Sequence, residues 1–106
     1  MTQFTTGAQR AEEPTAGRYD LVPLAGLDAV AETCAEGAAK YGVGNWEKGI
    51  PSSNLINHAL LHVFWYLRGD KSEDHLGHAL WNLMVAVHNE RVRPDMVDIA
   101  SLLRES

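Results

Sequence analysis

Apolar residues recur along this chain at intervals of three and four, the period of a helix with one buried side. Between Leu24 and Tyr41 they fall at Leu27, Val30, Cys34, Ala38 and Tyr41, which predicts a first helix with that face inward. Gly42 and Gly44 predict its end. A second helix is expected to start after Ser52 or Ser53, either of which can cap it, and to run to about Arg68. Its Leu55, Ala59, Leu60, Val63, Phe64 and Leu67 cover much of the circumference, as in a central helix. A third is expected from near Ser72, with Leu76, Leu80, Leu83 and Val87 as its buried line. Pro94 closes the connection after it, and Met96, Ile99 and Leu103 predict a short amphipathic helix over Asp95–Leu103. No strand alternation of useful length occurs. The expected fold is all-α, a small bundle of three main helices and a short C-terminal one.

Residues 1–17 offer almost nothing to bury and read as a disordered arm, or one that orders only on a partner. Residues 18–106 read as a single domain. Pro23 disfavours helix at Val22, so residues 18–23 form an extended lead-in.

Polar side chains interrupt these greasy helices in a regular way. The stretch Asn57–Glu90 consists of two apolar segments around a break, Gly69–Ser72, which predicts an αα-hairpin. His58 and His62 are four apart, as are Asp74, His78 and Asn82, so each set lies on one helix face. Asp, His and Asn at that spacing can hold or orient a divalent metal. An ordinary buried histidine satisfied by a neighbour is the competing reading of His78. His62, nearer the break, is the better candidate on the second helix. His75 and His88 lie off the stripe and read as surface groups. On the first helix, Glu32, Glu36 and Lys40 form a second stripe. The two carboxylates can share a cation, or Glu36 can pair with Lys40 while Glu32 is solvated.

Composition narrows the chemistry. The 106 residues fit one domain with a modest core. Three Trp, at positions 46, 65 and 81, are much aromatic surface for so small a domain, and a partner subunit is expected to cover part of it. The net charge is −5 with no basic block, which argues against a DNA or RNA polymer as ligand. A negative chain accepting an anion needs a cation, and a divalent metal is the usual one. The lone Cys34 excludes an internal disulfide. No signal-peptide pattern or bilayer-length apolar run is present, so the expected location is the cytoplasm and no membrane partner is expected. No nucleophile motif, P-loop or HExxH occurs, which leaves metal-assisted attack of water.

The strings RYDLVP, EGAAKYGVGNWEKGIP, ALLHVFWYLRGD and EDHLGHALWN resemble a phage-associated family of small all-α dATP/dGTP diphosphohydrolases, loosely allied to the MazG-like nucleotide pyrophosphohydrolases. The similarity covers about residues 18–90. It implies cleavage of a purine deoxynucleoside triphosphate to monophosphate and pyrophosphate in the cytoplasm of a host cell, with Mg2+ as the expected divalent metal and Mn2+ or another transition metal as the alternative. The wider superfamily holds its metal in an ExxE…ExxD arrangement. Here Glu32 and Glu36 are four apart, and the second motif reads Glu73-Asp74-His75-Leu76-Gly77-His78, so its ligands do not transfer directly. The expected metal ligands are Glu32, Glu36, His62, Asp74 and His78, with Glu36, Asp74 and His78 catalytic. Lys40, Lys48 and Arg68 are the expected phosphate-side cations, and Asn45, Trp46 and Asn82 the expected remaining substrate contacts. Trp46 reads either as a stacking platform for a base or as a plug over the core. A dimer or tetramer is expected, because polar-striped helices complete pockets by pairing. The alternatives are a nucleotide-binding protein without turnover and a structural helical oligomer.

Overall fold

The computed structural model describes residues 2–10 and 17–99. Its frame is three helices: α1 (Leu24–Tyr41), α2 (Ser52–Leu67) and α3 (His75–Val92). Short 3-10 turns occupy Tyr19–Leu21, Asn45–Lys48 and Pro94–Met96. Within the arm expected to lack order, β1 (Thr2–Gln3) and β2 (Gln9–Arg10) pair antiparallel around a tight turn. Residues 11–16 lie outside the described residues.

α2 and α3 form the expected hairpin. Gly69, at φ 87°, takes the chain out of α2, and the Asp70 carboxylate accepts from the Ser72 amide. α3 starts at His75 rather than Ser72 because Asp74 occupies the N-cap, its carboxylate accepting from the Gly77 amide at 3.1 Å. Neither Ser52 nor Ser53 caps α2 with its side chain; Pro51 is the N-cap residue. The missing cap comes from far along the chain: Asp98 accepts from the Ser53 amide at 2.8 Å and from its hydroxyl at 2.6 Å.

The core is small. Leu55, Val85 and Ala86 form its centre, and Trp46, Ile50, Ile56 and Trp81 pack around them. Asn89 is buried beside it and donates to the Ile50 carbonyl at 2.9 Å and the Ser52 hydroxyl at 3.1 Å, which satisfies the amide. α1 packs on α3 and carries one buried residue, Val30. Leu27, Cys34 and Tyr41, expected inward, are exposed.

Two further expectations are corrected. Leu76, Leu80, Leu83 and Val87 are not buried; each is more than 40% exposed. The helix expected over Asp95–Leu103 is a three-residue 3-10 turn, Pro94–Met96, followed by irregular chain. Residues 100–103 of that span lie outside the described residues. Arg93 explains why the turn sits where it does. It holds Asp95 through both carboxylate oxygens and donates to the Glu47 carbonyl, so the segment folds back on the loop between α1 and α2. Gly49 of that loop has φ 113°, and a Cβ there would sit 2.8 Å from the Met96 sulfur, so only glycine admits the approach.

Candidate functional site

α1 leans on α3 and leaves a cleft between itself and α2, about 1180 Å3 in volume. Its far wall is the polar stripe of the hairpin, its near wall the last two turns of α1, and its rim the loop of residues 42–47.

The hairpin wall carries a cluster of three imidazoles. His62 on α2 and His75 and His78 on α3 have ring centroids 5.3 Å (62–75) and 5.2 Å (62–78) apart. Glu73 reaches into the cluster from just before the α3 cap. Its Oε1 lies 3.2 Å from His78 Nδ1 and 3.3 Å from His62 Nδ1. Glu36 arrives from α1, with Oε2 2.9 Å from His78 Nε2. Both nitrogens of the His78 ring therefore face a carboxylate. Ligand atoms of His62, Glu73 and His78 all lie within 4.8 Å of one another, a set that could hold one metal ion.

His75 corrects the surface reading. It is 3% exposed, wedged between the hairpin helices with its Nδ1 3.0 Å from His62 Nδ1. Two facing Nδ1 atoms at that distance require one ring to donate and the other to accept. Its Nε2 lies 3.3 Å from Asp70 Oδ2 but makes no hydrogen bond. His88 is half-buried, with its ring edge-on to Trp46 at 5.0 Å.

The remaining predicted residues divide. Lys40, Asn45, Trp46 and Asn82 line the cleft. Asn82 donates to the His78 carbonyl at 2.8 Å, which leaves its side-chain oxygen available. Trp46 is both rim and plug: it lines the cleft and packs on the core. Glu32, Lys48 and Arg68 do not line it. Asp74 is engaged in capping α3 and lies outside the metal-competent set. Glu73 is the residue that the sequence reading passed over. With α3 expected from near Ser72 it would fall in the first helical turn, and its reach into the cluster depends on α3 starting three residues later, at His75.

The electrostatics separate His62 from His78. Burial pulls the His78 pKa down, but hydrogen bonds to Glu36 and Glu73 outweigh it, and the net shift is upward from 6.5. Burial lowers His62, and the neighbouring histidines add to that against the opposing pull of Glu73. The signs follow. The ion pairs of His78 contribute stability that is full below pH 6.5 and lost as pH rises through its raised folded-state pKa. His62 contributes the reverse, stability present above pH 6.5 and lost as pH falls through its lowered pKa. In the metal-free protein, NMR titration of the imidazole Hε1 signals is expected to place His78 above 6.5 and His62 below it. The opposite order would mean that Glu36 and Glu73 do not hold His78 in solution.

No curated protein and no solved structure matches this chain. A family model described as dATP/dGTP diphosphohydrolase, N-terminal, matches residues 6–99, beyond both ends of the strings that carry the resemblance. That match takes in part of the arm, all three helices, the histidine cluster and the segment that pins the loop, and the chain belongs to the dATP/dGTP diphosphohydrolase N-terminal family.

Proposed function

We propose that the chain hydrolyses a purine deoxynucleoside triphosphate to the nucleoside monophosphate and pyrophosphate, using a divalent metal held by His62, Glu73 and His78. The observation that carries this reading is the convergence of those three side chains, within 4.8 Å, on the wall of a cleft large enough for a nucleotide. The family name supplies the substrate class.

When bound, the metal would supply Lewis acidity toward the phosphate oxygens. The protein's own groups do the rest. His62 and His78 would hold the ion as neutral imidazoles, His78 through Nδ1 on the Glu73 side, so that it would give up the Nδ1 proton and keep Nε2–H as a donor to Glu36. Glu36, which accepts from His78 Nε2–H through Oε2, orients a water molecule with its other oxygen and takes its proton as the water oxygen attacks the α-phosphorus. The bond from the α-phosphorus to the oxygen bridging it to the β-phosphorus breaks, and pyrophosphate departs. Lys40 contacts phosphate, Asn82 offers its side-chain oxygen to the sugar or base, and Trp46 stacks on the base. Two imidazoles and one carboxylate suit a borderline transition ion better than Mg2+, which prefers an all-oxygen shell. The donor set therefore favours Mn2+ or a neighbour over the magnesium that the resemblance implies.

Incubation with dATP or dGTP in 18O-labelled water is the direct test. The expected products are 18O-labelled monophosphate and unlabelled pyrophosphate, faster with Mn2+ than with Mg2+, with EDTA removing turnover. Tight nucleotide binding with no monophosphate formed would sink the hydrolase reading. It would favour instead a binding protein, the reading supported by the small number of carboxylates, Glu36 and Glu73, that reach the cluster.

A further inference from the structure

His75 has no part in the chemistry assigned to the cleft, and it does not line it, yet it is the most deeply buried of the three clustered imidazoles. Its two ring nitrogens face different groups. Nε2 is buried and unbonded, and the polar atom in reach is Asp70 Oδ2, 3.3 Å away in the hairpin turn. A carboxylate oxygen only accepts, so the hydrogen of a neutral His75 belongs on Nε2; a lone pair there would face negative charge across a buried gap. Nδ1 is then a lone pair. It lies 3.0 Å from His62 Nδ1, so His62 must supply the hydrogen between them. Glu73 Oε1 is 3.7 Å from His75 Nδ1, beyond hydrogen-bond reach, and sits nearer the nitrogens of His62 and His78.

The turn holds Asp70 in place for this contact. Its amide donates to the Trp65 carbonyl at 3.1 Å, and its Oδ1 accepts from the Ser72 amide at 2.8 Å. One carboxylate oxygen is committed to the backbone, and the other is left for His75. Hydrogen bonding from Ser72 also holds that carboxyl below the usual carboxylate range.

We propose that Asp70 and His75 are positioning residues for His62. Asp70 fixes the His75 hydrogen on Nε2, His75 fixes the His62 hydrogen on Nδ1, and His62 Nε2 keeps the free lone pair that an ion needs. In the opposite arrangement His75 would donate to the lone pair of His62, and that ring would have none left to give. Metal-binding histidines are generally oriented by a partner behind the ring in this way. The tautomers stand on the two contacts of His75; their use in holding an ion rests on the metal site proposed above.

Long-range 1H–15N correlation spectra of the full chain, taken at about pH 8 where imidazoles are mostly neutral, test both parts. In the metal-free protein, His62 is expected to show a protonated Nδ1 and a bare Nε2, and His75 a protonated Nε2. Zn2+, a diamagnetic ion suited to imidazole and carboxylate donors, is expected to move the His62 Nε2 signal and leave Nδ1 protonated. Asp70→Asn supplies the inversion. With Oδ1 still held by Ser72, the side-chain amide turns an N–H toward His75 Nε2. His75 is then expected to carry its hydrogen on Nδ1 and His62 on Nε2, with Zn2+ affinity lowered about 10- to 100-fold and the backbone spectrum otherwise native. An unchanged His62 pattern in that variant would reduce Asp70 to a turn residue and overturn the proposal. So would a native His62 protonated on Nε2, or Zn2+ bound at its Nδ1. Zn2+ that moves the signals of neither His62 nor His78 would remove the metal site, and with it the role of the pair, while the metal-free tautomers stood.

Discussion

His78→Ala is expected to lower deoxynucleoside triphosphate turnover by about 1,000-fold and to abolish measurable Mn2+ binding by calorimetry. The size follows from its position. One ring contacts Glu73 through Nδ1 and Glu36 through Nε2, and so joins α1 to the hairpin across the cleft. Removing it takes away a donor of the proposed metal site and also leaves two carboxylates facing one another with no proton or ring between them. Stability should fall little, since His78 sits on the cleft wall and not in the core cluster. A thermal midpoint close to native would separate loss of the site from loss of the fold. Glu32→Gln supplies the contrast. Its carboxylate lies outside the cleft, and its expected effect on turnover is about tenfold at most. Equal losses in the two variants would move the metal onto α1 and away from the hairpin.

Leu55→Ala is expected to destabilise the chain by about 3 kcal/mol, a drop in thermal midpoint of roughly 15 °C. Leu55 is 1% exposed and is the largest fully buried side chain among the described residues. Val85 and Ala86 on α3, Ile50 before α2 and the rings of Trp46 and Trp81 close around it. Few other buried side chains are near enough to collapse into the space, so a cavity persists. The lesion should reach the cleft as well, because Trp46 and Trp81 line it and rest on the same cluster. Tryptophan fluorescence should therefore shift to the red in the folded variant. A loss below about 1 kcal/mol in urea titration would show that Leu55 is not the keystone of this core.

Helix existence was legible because each segment is long, periodic and bounded by Gly, Pro or Asp. Burial was not. Periodicity shows that Leu76, Leu80, Leu83 and Val87 share a side; it does not say what lies against that side. The pairing of His62 with His78 followed from two i, i+4 stripes meeting across a short break. Glu73 escaped notice because its role depends on one backbone decision, Asp74 capping α3, which leaves the preceding residue free to turn inward. His75 was misplaced for the same reason: the start of the helix sets which residue of its first turn faces α2. The bonds from Asp98 to Ser53 and from Arg93 to Glu47 join residues more than 40 positions apart, and no local pattern announces them.

Those last bonds also order events during synthesis. The loop bearing Trp46 is complete soon after α1, yet its anchors, Asn89, Arg93 and Asp98, are among the last described residues to leave the ribosome. A nascent chain that ends at Val92 already contains all three helices, the three clustered imidazoles and both glutamates. It lacks the clasp from residues 93–98 that fixes the rim. The cleft therefore acquires its chemical groups before it acquires its shape.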